Sequence, residues 1–238
     1  MIGRMIWILA VLVVATVTAG AQLDRQARYV PTLTPLIPEP FRAFSQRHAA
    51  AQALLDDKPE LALLETRRLV ARRPMPASHL RLLSIAEFEA GNVEQGSYAI
   101  QLAARRGWRD GPAQRSMLQL ALAAGDEAEA ARRFAALFVK PDEEQADLNA
   151  LAQEVFAPGQ DNARAVFAQI VAEADRWHSV YLRKAPAVLS SDALIDITKR
   201  ASQAGAAFDC AEARRTAERL GKRDDAASQA FAATIVGC

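Results

Sequence analysis

A turn signature that recurs every 34 residues limits how this chain can fold. Two stretches, AEFEAGNVEQGSYAIQLAA and LALAAGDEAEAARRFAALF, each read as a helix that ends at a glycine, Gly91 or Gly125, followed at once by a second helix. The same spacing reaches back to Asp57, which also lies between two helical runs. A glycine after a helix closes the last turn in the left-handed conformation, and the polar residue after it caps the next helix. The spacing therefore predicts three equivalent helical hairpins.

Positions counted from these turns carry matching side chains. A small residue stands five positions after each turn, and an apolar residue stands twelve positions after it. These residues are Ala62, Gly96 and Ala130 at the first position, and Leu69, Ala103 and Leu137 at the second. Small side chains let antiparallel helices approach closely, and larger ones fill the seam with the next hairpin. Because one hairpin cannot bury its own apolar face, the pattern predicts that hairpins stack.

This sequence pattern resembles that of the tetratricopeptide repeat (TPR) family, whose unit is a 34-residue helix–turn–helix. The matching features are the AGN and AGD turns, Ile100 and Phe134 nine positions after them, and Pro74 and Pro141 at repeat ends. The resemblance covers roughly residues 42–141. It implies an all-α fold, an α-solenoid of antiparallel helix hairpins whose first helices line a concave binding face.

The sequence departs from the family pattern at three points. Asp57 replaces the first turn glycine, Glu87 stands where a small or apolar residue is expected, and the usual aromatic residues are missing from the first helices. Beyond Pro141 the period weakens, but helices continue to the end of the chain, with breaks expected at Pro158-Gly159 and at Pro186. The predicted segments are a membrane anchor or signal peptide (1–22), a Pro-rich linker (23–41), TPR-like repeats (42–158) and C-terminal helical hairpins (159–238).

The amino terminus carries an apolar run, residues 5–21, that follows Arg4. Its length is at the low end for a membrane-spanning helix, about 17–25 residues. Ala19-Gly20-Ala21 also fits the small-x-small cleavage site of a signal peptide. Both alternatives place the rest of the chain outside the cytoplasm if Arg4 stays inside. The expected location is the cell envelope, with a periplasmic domain anchored in the inner membrane or a protein exported to the periplasm.

Four prolines follow within residues 29–41. They are Pro31, Pro35, Pro38 and Pro40. This spacing favours an extended polyproline-like spacer that holds the next domain away from the membrane.

The net charge of +1 favours no particular partner, and no nucleic-acid partner is expected. The charge is unevenly distributed, however. Residues 60–115 contain nine arginines and six acidic residues, whereas residues 126–161 contain three basic and nine acidic residues. Such a chain can bind a charged protein or a second copy of itself.

The two cysteines, Cys210 and Cys238, lie in the last predicted hairpin, where antiparallel helices would bring them together. We expect a disulfide between them in an oxidising compartment. The histidines are scattered, and no phosphate-binding, dinucleotide-binding or nucleophile-elbow motif is present. We therefore expect no catalytic residues, cofactor or metal, and we interpret the aromatic cluster at Trp177, His178 and Tyr181 as a packing patch.

One set of polar residues occupies an equivalent position in successive repeats. Ten residues before each turn stand Arg47, Arg81 and Arg115, and the same count reaches Asn149; Gln119 lies four residues after Arg115. Guanidinium groups bind carboxylates and phosphates through paired hydrogen bonds. The pattern predicts a ladder on the concave face that binds an acidic peptide or anionic polymer.

The predicted function is a non-enzymatic adaptor that binds other proteins, namely assembly or secretion components of the envelope. Two alternatives stay open. One is a self-associating structural subunit, in which the acidic segment contacts the basic half of a neighbouring copy. The other is a helical hydrolase acting on an envelope polymer, for which no acid/base pair is visible in the sequence.

Overall fold

The computed structural model describes residues 2–140 and 144–235, and in these ranges the chain is helical with no strand. The α-helices are α1 (Ile2–Ala27), α2 (Gln46–Leu55), α3 (Pro59–Arg72), α4 (Ala77–Glu89), α5 (Val93–Arg106), α6 (Gly111–Ala123), α7 (Glu127–Phe138), α8 (Gln145–Val155), α9 (Asp161–Glu173), α10 (His178–Val188), α11 (Ser191–Gln203), α12 (Cys210–Gly221) and α13 (Asp225–Ala232). Short 3₁₀ helices span Pro31–Leu36, Glu39–Phe41 and Asp175–Trp177. The predicted all-α class is confirmed.

Contacts divide the chain into two compact units, Met1–Gly107 and Trp108–Cys238. The first unit contains α1 to α5, and the second contains α6 to α13. The boundary falls inside the segment predicted as one block of repeats, 42–158.

The predicted bends are confirmed at Asp57, Gly91 and Gly125. All three have left-handed backbone, with φ of 54°, 79° and 69°, and Gly159, 34 residues further on, has φ of 93°. At the first three bends, the third residue after the helix donates its N–H to a carbonyl five positions earlier. These bonds run from Lys58 to Ala53, from Asn92 to Glu87 and from Asp126 to Ala121, at 2.8–3.1 Å. The shared geometry closes α2, α4 and α6 in the same way.

The side chains at equivalent positions are buried, as the spacing predicts. The small residues Ala62, Gly96 and Ala130 are buried, and so are the apolar residues at the second position, Leu69, Ala103 and Leu137. A Cβ atom on Gly96 would lie 2.9 Å from the Phe88 ring, so α4 and α5 meet closely there. Small residues at this position therefore set the distance between the helices of a hairpin.

Glu87 is buried although its position favours a small residue, because its carboxylate is fully paired. Arg67 of α3 donates to both carboxylate oxygens from 3.1 and 3.2 Å. Asn92 donates its side-chain amide from 2.8 Å. Asn92 was expected to cap α5, but its side chain makes no cap hydrogen bond, whereas Asp126 caps α7 by accepting the N–H of Glu129.

The expected break at Pro186 is wrong, because α10 continues through it to Val188. Proline has no N–H, so it leaves the carbonyl of Leu182 without its usual helical partner. Two side chains of α12 replace that donor. Thr216 donates its hydroxyl to this carbonyl from 2.8 Å, and Arg219 donates from 3.3 Å.

Helices of the second unit lie in two series. In one, α7, α9, α11 and α13 follow one another in contact; in the other, α8, α10 and α12 do so. Aromatic rings fill much of the space between them, with centroid distances of 4.9–6.4 Å. The rings belong to Phe134, Phe138, Phe156, Phe167 and Tyr181.

The Pro-rich segment is not the extended spacer that its composition favours. Its two 3₁₀ helices contact α1, and the first also contacts α2. Ile37 between them is only 1% exposed. Proline fixes φ near −65°, which suits a 3₁₀ turn as well as polyproline, and the buried isoleucine selects the compact form.

We expect Gly125→Ala to lower the free energy of unfolding by about 1 kcal/mol, because a Cβ disfavours the left-handed backbone. The matched control is Gly221→Ala, at a helical glycine of the same unit where a Cβ meets no atom closer than 3.4 Å. That change should raise stability by about 0.5–1 kcal/mol through helix propensity. Urea unfolding measures both, and equal effects would contradict the role of the bend.

We expect Thr216→Val to destabilise the protein by about 1–2 kcal/mol, because it removes a donor from the carbonyl that Pro186 leaves free. Thr66→Val is the control: Thr66 is also buried, but its hydroxyl bonds to Ala62 and Leu63 carbonyls in its own helix. In a Pro186→Ala background the cost of Thr216→Val should shrink. A double-mutant cycle from thermal unfolding gives the coupling, and an additive result would contradict this account.

Candidate functional site

Among the described residues, α1 is the one helix long and apolar enough to cross a membrane. It has 26 residues and a mean hydropathy of 2.1 over its 18-residue window. Residues 2–19 are exposed throughout. A signal sequence near the amino terminus has the same properties, so the finding fits both an anchor and a signal peptide.

The last two turns of α1 belong to the folded first unit. Gly20, Asp24 and Ala27 are buried, whereas every described residue before Gly20 is exposed. Gly20 packs on the ring of Phe41, where a Cβ would lie 2.7 Å from the nearest ring atom. We call residues 20–27 the foot of α1.

Asp24 attaches this foot to the start of α2. Its carboxylate accepts the backbone N–H groups of Phe44 and Ser45, both at 2.9 Å, and the Ser45 hydroxyl at 2.6 Å. A carboxylate with three donors is well satisfied although Asp24 is only 3% exposed. No local sequence pattern indicates this contact, since the partners lie 20 and 21 residues further along the chain.

Arginines gather around the foot. The guanidinium of Arg73 lies 4.3 Å from the Phe44 ring centroid, and that of Arg28 lies 5.8 Å from the same centroid and 5.5 Å from that of Tyr29. Arg42 donates to the carbonyl of Ile37 from 2.8 Å. The first unit therefore carries a positive surface beside its apolar helix.

A second network missed by the sequence analysis joins α2 and α3. Gln46 is fully buried and donates to the buried carboxylate of Glu65. Arg68 pairs with Glu65 at 2.9 Å, and Arg72 donates to the Gln46 side chain from 3.0 Å. Glu39 completes the network through ion pairs with Arg68 at 3.3 Å and Arg72 at 3.7 Å. These arginines are neutralised inside the unit.

In the first unit, the predicted ladder residues lie on neighbouring helices. Arg47 is exposed in the first turn of α2, and Arg81 is half-buried on α4. The two helices are in contact. Both arginines therefore occupy equivalent positions of adjacent hairpins.

In the second unit, the ladder residues have internal partners. Arg115 forms an ion pair with Asp147 at 3.3 Å. Asn149 donates to the carbonyl of Val188 from 3.0 Å and accepts from Gln153 at 2.9 Å. Gln119 is exposed. The Asn149 side chain thus joins α8 to the end of α10.

Several acidic residues of 126–161 are also used internally. Glu129 pairs with Arg132 at 2.9 Å and with Arg133, and Asp161 pairs with Arg200 at 3.2 Å. Glu127 accepts the first N–H groups of α9, those of Asn162 and Ala163. These three carboxylates are therefore engaged within the chain.

The aromatic cluster of the second unit is used in packing, as interpreted. His178 is buried, with its ring nitrogens 2.9 and 3.1 Å from the carbonyls of Val171 and Ala207. The Tyr181 hydroxyl shares a 2.8 Å hydrogen bond with Thr198. Burial raises the pKa of Tyr181, so it stays protonated.

Two further sequence predictions concern cysteines and metals. Cys210 begins α12, but Cys238 lies outside the described residues, so their pairing stays a prediction. In the ranges 2–140 and 144–235, no group of three or more His, Cys, Asp or Glu side chains is placed to hold a metal ion.

In comparisons with known proteins, no family model, no characterised protein and no solved structure matches this chain. The structure itself establishes an all-helical chain with an apolar amino-terminal helix.

His79 gives the first unit an expected pH dependence. Its Nδ1 lies 2.9 Å from the Arg73 carbonyl, and burial, followed by the nearby charges of Arg73 and Arg47, lowers its pKa although that carbonyl opposes the shift. Folding then favours neutral His79. Stability should be full above the unfolded pKa, 6.5, and should fall as the pH drops from 7 to 5.

Thermal unfolding at several pH values measures this dependence. His79→Asn should reduce the loss of stability between pH 7 and 5. The Asn amide can donate to the Arg73 carbonyl without taking up a proton. His48→Asn, a change on the surface of α2, should leave the slope as in the wild type. An unchanged slope in His79→Asn would contradict the assignment.

Proposed function

We propose that this chain is a membrane-anchored, non-enzymatic adaptor built from TPR-like hairpins, which holds a partner protein at the membrane. The observation that carries the proposal is the equivalent placement of Arg47 and Arg81 on the contacting helices α2 and α4. The anchor helix is folded onto the same unit through Asp24. A partner bound there would be held close to the bilayer.

The proposed partner presents an acidic segment. Arg47 has no ion pair or hydrogen bond from its guanidinium within the part of the chain that the structure describes. In contrast, Arg115 and Asn149 are engaged with Asp147 and Val188. Binding therefore centres on Arg47 of the first unit rather than on a ladder that includes Asn149. Self-association by charge is less well supported, because Glu129 and Asp161 already have cationic partners.

We further propose that α1 is retained as an anchor and that the folded part lies in the periplasm. Cleavage after Ala21 would remove Gly20, on which Phe41 packs. The foot would lose its first two residues, of which Gly20 is buried in the intact chain. An oxidising compartment is also what the expected Cys210–Cys238 disulfide requires.

Binding of an acidic probe tests the adaptor site. The full chain in neutral detergent micelles is titrated into a fluorescein-labelled, Glu-rich decapeptide with a free carboxyl terminus, and anisotropy is followed at low salt. We expect Arg47→Gln/Arg81→Gln to weaken binding about tenfold or more, because charge-assisted hydrogen bonds are lost.

Two controls make this test specific. The variant Arg105→Gln/Arg214→Gln removes the same charge at exposed arginines outside the site and should bind as the wild type does. The same peptide with Gln in place of Glu should not bind. Equal binding of both peptides, or unchanged affinity in Arg47→Gln/Arg81→Gln, would contradict the proposed site.

Intact-mass measurement of the chain from membranes tests retention and compartment together. We expect a mass that includes residues 1–21 and no added mass after alkylation without reduction, because α1 is retained and both cysteines are paired. Reduction before alkylation should add two labels. A chain that begins at Gln22 contradicts retention, and two labels without reduction contradict the disulfide and the periplasmic location.

A further inference from the structure

We propose that four arginines around the foot of α1 bind the headgroups of anionic phospholipids in the membrane that α1 enters. We call them the arginine collar: Arg25, Arg28, Arg42 and Arg73. This inference rests on the proposed anchoring, but it concerns a different surface from the one at Arg47 and Arg81.

The position of the collar follows from where burial begins along α1. Residues 2–19 are exposed and carry a single charge, that of Arg4 near the start of α1, and burial starts at Gly20. Eighteen helical residues span about 27 Å, close to the roughly 30 Å of a bilayer's hydrocarbon core. The foot therefore lies at the level of the headgroups. Arg25 is exposed on this foot, and Arg28 is the first residue after the foot.

The collar arginines keep donors available for phosphate. The Arg73 guanidinium lies 4.3 Å from the Phe44 ring centroid and that of Arg28 lies 5.8 Å from it, and contact with a ring face occupies none of their N–H donors. Arg42 uses its Nε on the Ile37 carbonyl. Guanidinium groups bind phosphate oxygens through paired donors, so this arrangement fits a lipid phosphate.

Neighbouring acidic side chains do not neutralise the collar. The Asp24 carboxylate is buried and bonded to Phe44 and Ser45. Glu39 pairs with Arg68 and Arg72, which are outside the collar. Among the residues that the structure describes, none of the four collar arginines has a carboxylate partner. Their positive charge is therefore available to an anionic group outside this chain.

An aromatic residue at the same level supports a lipid surface as the partner. Tyr29 is 76% exposed and lies beside the Arg28 guanidinium. Tyrosine is enriched where membrane proteins pass through the headgroup region. A soluble anion would not account for a bare tyrosine next to an apolar, membrane-length helix.

Native mass spectrometry of the full chain in neutral detergent micelles tests the collar. The protein is mixed at low ionic strength with phosphatidylglycerol or with phosphatidylcholine at matched concentrations. We expect phosphatidylglycerol adducts to exceed phosphatidylcholine adducts about fivefold or more. Arg25→Gln/Arg28→Gln/Arg73→Gln should bring that ratio close to one.

The control variant is Arg105→Gln/Arg176→Gln/Arg214→Gln, which removes the same charge at exposed positions away from the foot. It should keep the wild-type ratio. Because the Gln variant also removes the contacts with the Phe44 ring, Arg25→Glu serves as a second test that alters a single exposed side chain. It should lower the ratio about fivefold or more with unchanged helicity by circular dichroism.

Equal adduct formation by the two lipids in the wild type would overturn the collar, as would equal ratios in the collar and control variants. The same spectra report whether residues 1–21 are present. A shortened chain that still prefers phosphatidylglycerol supports the collar and contradicts the anchor. An intact chain that prefers phosphatidylglycerol but ignores the Glu-rich peptide supports the collar and contradicts the adaptor site.

Discussion

The left-handed closure of each first helix is the constraint on which the hairpins depend. Helix ends leave carbonyl groups without partners, and the bond that follows a left-handed residue satisfies them. Because Asp57, Gly91 and Gly125 share that closure, the second helix leaves each bend in the same direction. The residues five and twelve positions later then meet the same neighbours, which is why a count along the sequence identifies buried side chains.

What the sequence could predict follows from this local geometry. The bends, the all-α class and the burial of residues such as Ala62 and Leu137 depend on short-range spacing. The continuation of α10 through Pro186 depends on Thr216, 30 residues away, and no local pattern contains that information. The Pro-rich segment is similar, since its 3₁₀ helices pack on α1 and α2, and its own composition does not indicate those contacts.

The candidate site also contains some features that short-range spacing predicts and others that depend on distant residues. Counting in steps of 34 residues found Arg47 and Arg81, because both stand at one register of repeated hairpins. The count also included Asn149, whose side chain instead joins α8 to α10. The collar escaped the count because its arginines come from α1, α3's end and the segment between α1 and α2. Only the fold brings Arg28 and Arg73 to the same ring, that of Phe44.

The contacts of the foot of α1 with the rest of the first unit have a mechanical consequence. In a bilayer, a hydrophobic helix adjusts to local thickness by changing its tilt. A helix on a loose tether would do so alone, but the Asp24 contacts and the covered Gly20 join α1 to the folded body. If α1 is retained in the membrane, as we propose, membrane thickness would set the angle between the first unit and the lipid surface.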